Sequence, residues 1–181
     1  MNLAYYANSI DRLHQENHQF LRTQQFRCYT TAEEAKSKQI ELAREAEQQV
    51  ARRVQSLGYQ VNLTSHKCPF DLWVADHTGR AIQVEVKLSR YHQHKRGGHY
   101  QANIRHDQAD LLIFIARNGR DWSFVIPMAD VFPRNNITIW SHCPGEHLGQ
   151  WARYLEAWEY LHRAIRQAPP CPRQPSLFVG N

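Results

Sequence analysis

Glu85 and Lys87 lie two residues apart in the apolar run AIQVEVKL, a carboxylate and an ammonium at a spacing that can do chemistry. Strand alternation puts both on one face, opposite the stripe Ile82, Val84, Val86 and Leu88. The carboxylate can hold a divalent cation, and the lysine can steady an attacking hydroxide or a phosphorane-like transition state. The same pair also describes a surface ion pair on a half-exposed strand, which is common and worth little energy. Asp71 shifts the balance. Phe70–Ala75 alternates, with Phe70, Leu72 and Val74 on one face and Asp71 on the other. Asp76-His77-Thr78-Gly79 is a turn, so the two runs pair as an antiparallel hairpin that brings Asp71 beside Glu85. Two such carboxylates repel and raise each other's pKa. Mg²⁺, a hard cation held by one or two carboxylates plus waters and substrate phosphate, removes that conflict.

The elements that must position these residues begin with a long helix. Thr31 and Glu34 form a capping box, and Ile40, Ala43, Ala46, Val50, Val54 and Leu57 recur at helical spacing until Gly58. Glu47 lies about 50° from the centre of that stripe, whereas Glu41 and Glu45 point away. A carboxylate aimed at a sheet is costly unless it meets a cation or donors; the alternative is a stripe-edge glutamate whose tip reaches water. Strand signals follow at Tyr59–Thr64, Phe70–Ala75 and Ala81–Leu88, with a short extended piece at Tyr100–Ile104. Leu111–Ala116 is a continuous apolar run, the mark of a central strand covered on both sides. Asn118-Gly119 turns it into Trp122–Ile126. A helical turn after Pro127, a strand at Ile137–Trp140 and a last helix from Leu148 to Ile165 complete the body. Helix, strands, helix predicts an α/β fold, a mixed β-sheet flanked by helices. Residues 1–30 read as an N-terminal helical arm. Residues 168–181 hold four of the eight prolines and read as a flexible tail.

Charge narrows the partners. The net charge is +5, yet residues 1–86 carry ten basic and ten acidic groups, and residues 107–181 carry seven of each. The whole excess lies in residues 87–106: Lys87, Arg90, Lys95, Arg96 and Arg105, without an acid and with His92, His94, His99 and His106. A localised basic segment is a footprint for a polyanion, most often nucleic-acid phosphate; the alternative is a solvated loop. Gln101 and Gln108 can contact bases or assist the site, and the sequence leaves both readings open. With 42 % apolar residues in 181, the chain can bury one core. No apolar run is long enough to span a bilayer, and the start lacks the pattern of a secretory signal, so an intracellular protein is expected. The four cysteines are far apart; His142, Cys143 and His147 are the one weak zinc candidate, against ordinary loop residues.

Taken together, Glu47 on the first helix, Gly58-Tyr59, Asp71 in Pro69-Phe70-Asp71, and Glu85-Val86-Lys87 resemble the PD-(D/E)XK nuclease superfamily. The following KRGGHYQANI and the apolar strand behind Asp110 are similar to a subgroup with group I intron homing endonucleases, and more loosely to Holliday-junction resolvases. The resemblance covers residues 40–127 and implies a restriction-endonuclease-like core within residues 31–167. It implies metal-dependent hydrolysis of DNA, with Mg²⁺ as cofactor and Mn²⁺ as a substitute. Asp71, Glu85 and the backbone carbonyl of Val86 would be metal ligands, and Glu47 would bind a metal directly or through water. Lys87 would orient or activate water, and Arg90, Lys95, Arg96 and Arg105 would grip DNA phosphates. A homo-oligomer is expected for cutting both strands, and the place of action would be the cytoplasm, at the nucleoid. The alternative is a non-catalytic DNA-binding or replication-accessory module with the same fold.

Two further readings stand apart from that core. Gln174-Pro175-Ser176-Leu177-Phe178 resembles the pentapeptide by which bacterial replication proteins dock on the DNA sliding clamp. That resemblance implies partner contacts through Gln174, Leu177 and Phe178. Trp151, Tyr154 and Trp158, at helical spacing, read as core rather than as base-stacking groups.

Overall fold

A computed structural model describes residues 31–65, 67–95, 97–104, 108–141 and 146–170. The chain divides into two compact units, residues 1–42 and 43–181. Of the first unit, residues 31–42 are described and are helical. The expected arm at 1–30 and the clamp-like residues Gln174, Leu177 and Phe178 lie outside the described residues, as do Arg96, Arg105, His106, His142 and Cys143.

Helix α1 runs over residues 31–56 and ends where Gly58 takes a φ of 92°. Thr31, expected to open the capping box, is helical, and the residues before it lie outside the described ones. In the second unit, α1 buries Ala46, Val50, Ala51 and Val54, a narrower stripe than the sequence suggests, since Ala43 is exposed. Ile40, in the first unit, is also exposed.

The strands are β1 (Gln60–Leu63), β2 (Leu72–Ala75), β3 (Ala81–Arg90), β4 (His92–His94), β5 (Gly97–Asn103), β6 (Leu111–Asn118), β7 (Arg120–Pro127), β8 (Asn136–Ser141) and β9 (His147–Leu148). The short helices α2 (Met128–Val131) and α3 (Glu159–Gln167) and a 3₁₀ turn at Ala152–Tyr154 complete the elements. A five-stranded sheet has the order β1-β2-β3-β6-β7, mixed because β3 and β6 are parallel while their other neighbours are antiparallel. A second, four-stranded sheet has the order β4-β5-β8-β9.

Two cores follow from the alternation of β6. Leu111, Ile113 and Ile115 point to the side of α1 and α3, where they pack with Val50, Val54, Val84 and Leu161. Leu112, Phe114 and Ala116 point the other way, onto Tyr100, Phe124, Ile137 and Ile139. Both faces of β6 are covered, as its unbroken apolar run requires.

The second face is covered by a sheet, where flanking helices were expected. The basic segment, expected to hold one short extended piece at Tyr100–Ile104, folds as the hairpin β4–β5, with His92 opposite His99. Its turn region packs tightly: a Cβ at Gly98 would collide with the Tyr91 ring and the His92 carbonyl, so only glycine fits.

The expected last helix is also corrected. Leu148 ends β9, Gly149 turns the chain at a φ of 86°, and Glu156 takes a φ of 51° before α3 begins. The aromatic positions at helical spacing therefore split: Trp151 and Tyr154 join the core around Phe114, while Trp158 joins the core around Val54. Ala168, assigned above to the free tail, packs against the second of these, and Pro170 bridges Arg80. Among the described residues, no helix is long and apolar enough to cross a membrane.

Candidate active site

The hairpin β2–β3 stops short of the end of β3. Its register pairs Ala75 with Ala81 and Leu72 with Val84, and β3 then continues to Arg90 along β6. Asp71 stands at the point where β2 begins. Its backbone N–H donates to the Val84 carbonyl at 3.0 Å, and its side-chain Oδ2 accepts from the Val86 N–H at 2.7 Å. The carbonyl of a strand residue leaves the same edge as its N–H, so the Val86 carbonyl also faces the Asp71 side. Phe70, expected to share a face with Leu72 and Val74, packs instead in the opposite core and stacks near Trp73. It precedes the strand, so strict alternation does not reach it.

Glu85 is 4 % exposed, and the Lys87 ammonium lies directly on its carboxylate. Burying a lone carboxylate costs several kcal/mol by the usual order of magnitude, about 2–7 for an unpaired polar group, and the partner offsets that. The pair is therefore not the exposed surface ion pair of the alternative reading: Lys87 keeps only 29 % side-chain exposure.

Glu47 joins the group from α1. Its pKa is raised, first by burial and then by the negative charge of Asp71; Arg44 and Lys87 oppose the rise, and Glu85 adds to it. Asp71, Glu85 and Lys87 thus act electrostatically on Glu47 across the helix–sheet boundary. Arg44, one turn before Glu47 on α1, is a member that the sequence reading passed over; its i, i+3 spacing was the available signal.

We expect Glu47→Gln to stabilise the fold near neutral pH. A carboxylate whose folded pKa exceeds its unfolded value contributes stability below the unfolded value and loses it as pH rises through the folded one. The advantage of glutamine should therefore shrink as pH falls toward the ordinary value of 4.5. Urea unfolding in metal-free buffer at pH 7 and pH 4.5 checks this; an equal difference at both would contradict it.

The donors fit a hard cation in kind, being carboxylate oxygens and a peptide carbonyl with mutual repulsion to relieve. They do not form a closed cage: among the described residues, no three His, Cys, Asp or Glu side chains are gathered closely enough to hold an ion. Asp71 is turned onto the Val86 amide and Glu85 onto Lys87. The arrangement suits an ion completed by water and substrate phosphate rather than by protein alone.

Of the expected phosphate contacts, Arg90 is exposed at the end of β3, beyond Lys87, and Lys95 is exposed at the β4–β5 turn. Ser89 ties the two regions together, its Oγ accepting from the Gln101 N–H at 2.9 Å.

No family model matches this sequence, and no curated protein matches it. Among solved structures, the fold is similar to a bacterial homing endonuclease, I-Ssp6803I, with a TM-score of 0.55 over 69 % of this chain and 94 % of that one. At 18 % sequence identity the likeness is one of fold: this chain is built on a nuclease-like α/β scaffold.

Proposed function

We propose that this protein is a Mg²⁺-dependent DNA endonuclease of the PD-(D/E)XK type, acting on phosphodiester bonds. One observation carries the reading: where β2 begins, the Asp71 carboxylate is held on the amide of Val86, the residue between the paired Glu85 and Lys87, with Glu47 of α1 within their electrostatic reach. A nuclease-like fold and a localised basic segment support it.

Asp71, Glu85 and the Val86 carbonyl would hold the cation, with Glu47 directly or through water. When bound, the cation would polarise the scissile phosphate and lower the pKa of a water. The remaining work belongs to the chain. Lys87, beside Glu85, would orient the attacking water and neutralise charge developing on phosphate oxygens. The Val86 amide fixes the Asp71 carboxylate, so one ligand is positioned before substrate arrives. Arg90 and Lys95, with Arg96 and Arg105, would hold the backbone on either side.

Incubation with plasmid, nicked and branched DNA, with and without Mg²⁺ or Mn²⁺, tests the proposal. Cleavage that needs the cation is expected. The alternative, a non-catalytic module tethered to the sliding clamp through Gln174, Leu177 and Phe178, leaves every substrate intact. Nucleoid association and a homo-oligomer that cuts both strands belong to the same proposal.

The basic hairpin has its own test. Neutralising Lys95 and Arg96 together should weaken binding to all sequences alike and flatten the salt dependence, by about one slope unit for each phosphate no longer neutralised. An unchanged slope in a fluorescence-anisotropy titration would place these side chains away from DNA.

A further inference from the structure

The outer face of the second sheet is not consumed by the reaction site. On β5 and β8, Tyr100, Ile137 and Ile139 turn inward to the core, so the alternate residues turn outward. The register sets the outward residues in cross-strand pairs: His99 with Trp140, Gln101 with Thr138, and Asn103 with Asn136. Gln101, Asn103 and Asn136 are exposed, and Trp140 is 57 % exposed, a large aromatic left in water. β4 adds His92 and His94 at the edge, their rings stacked on His99 with centroids 5.4 and 4.9 Å away.

We propose that the β5–β8 ribbon is a base-reading surface that enters the major groove of duplex DNA, with the amides of Gln101 and Asn103 as its readers. This rests on the DNA-acting reading of the site. The groove, about 12 Å wide, admits a two-stranded ribbon, and Gln and Asn side chains pair with the N6 and N7 edge of adenine. β4 pairs along Gly97–His99 and β9 along Trp140–Ser141, so the sheet is two-stranded where Gln101, Asn103, Thr138 and Asn136 stand. Amides and a hydroxyl there are groups that read bases, whereas the cations of the same segment hold phosphates. Charge complementarity selects the occupant: β4, β5 and β8 contain no Asp or Glu, and the hairpin lies within the segment that carries the chain's entire positive excess. Trp140, its ring 5.3 Å from His99, borders the readers at one end and can pack on a thymine methyl or the sugar edge.

Selection from a pool of randomised duplexes by the full chain in metal-free buffer tests the proposal. The wild-type chain should enrich a defined sequence. Gln101→Ala with Asn103→Ala should relax it at the positions read, by about tenfold in preference at each, while leaving the salt slope of binding unchanged, since amides release no counterions. Both residues are exposed, so the variant folds. An unaltered selected sequence in the double variant, the absence of any enriched sequence in wild type, or preference for single strands over duplex would each overturn the ribbon assignment. Because selection needs no cleavage, a chain that selects a sequence but never cuts would instead defeat the nuclease reading and leave the ribbon standing.

Discussion

Lys87→Ala is expected to reduce DNA cleavage by about 10²–10³-fold, the usual loss when one preorganised charge-stabilising group is removed from a reacting centre. The Lys87 ammonium lies against Glu85, which is almost fully buried, and the Asp71 carboxylate, where β2 begins, accepts from the N–H of Val86 between them. Removing the ammonium has a second effect, because the Glu85 carboxylate is left buried and uncompensated. Breaking one partner of a buried pair costs about 3–5 kcal/mol, whereas replacing both by neutral groups of similar volume is close to neutral. The double variant Glu85→Gln with Lys87→Met therefore separates chemistry from stability: it should unfold near the wild-type midpoint, bind DNA, and fail to cut. Gel-based cleavage assays beside urea unfolding read both quantities. Cleavage at the wild-type rate by Lys87→Ala would remove Lys87 from the reaction.

Phe114→Ala should cost about 3–5 kcal/mol, from the lost transfer energy and the cavity left behind. Phe114 is fully buried at the centre of β6, with its ring edge-on to Phe124 at 6.3 Å and 80°. It faces the core shared with the second sheet, so the strand cannot close over the void without moving Tyr100, Ile137 or Ile139. Against a typical stability of about 5–15 kcal/mol, the loss is large enough to leave a visible unfolded fraction. Urea unfolding should show a lower midpoint with the slope unchanged. Leu63→Ala, at a side chain half exposed on the edge strand, should stay within about 0.5 kcal/mol of wild type. If the two variants were equally mild, the core would not lie where β6 places it.

The sequence made the first sheet readable because its signals were local. The alternation of Leu72 and Val74, the turn at Asp76–Gly79, the apolar run of β6 and the Asn118-Gly119 hairpin each act within a few residues. The second sheet was hidden because its pairings join distant segments: Gly98 meets Ser141 and Asn103 meets Asn136. High charge and histidine content hid all of β4–β5 but the piece from Tyr100, although Tyr100 and Ala102 of β5 turn into the core. The last helix was misread because Trp151, Tyr154, Trp158 and Leu161 keep helical spacing while serving two different cores. For the site, hairpin pairing led to the expectation of Asp71 beside Glu85, and the phase of α1 to that of Glu47 aimed at the sheet. What spacing could not reveal was the start of β2 only at Leu72, with the Asp71 carboxylate on the Val86 amide.

The parallel union of β3 and β6 obliges the chain to travel back along the sheet between Arg90 and Leu111, and among the described residues of that stretch strands rather than a helix make the return. In hereditary terms, the exposed positions of that return path are where composition can drift at little cost. Exchanges at Gln93, Gln101 or Asn103 leave Gly98 and Tyr100 in their packed places and the alignment of Val84 with Leu111 and of Lys87 with Phe114 untouched. Descendants of such a chain can change what that outer face meets while the Asp71–Val86 contact and the Glu85–Lys87 pair stay as they are, so that surface and site diversify on separate clocks.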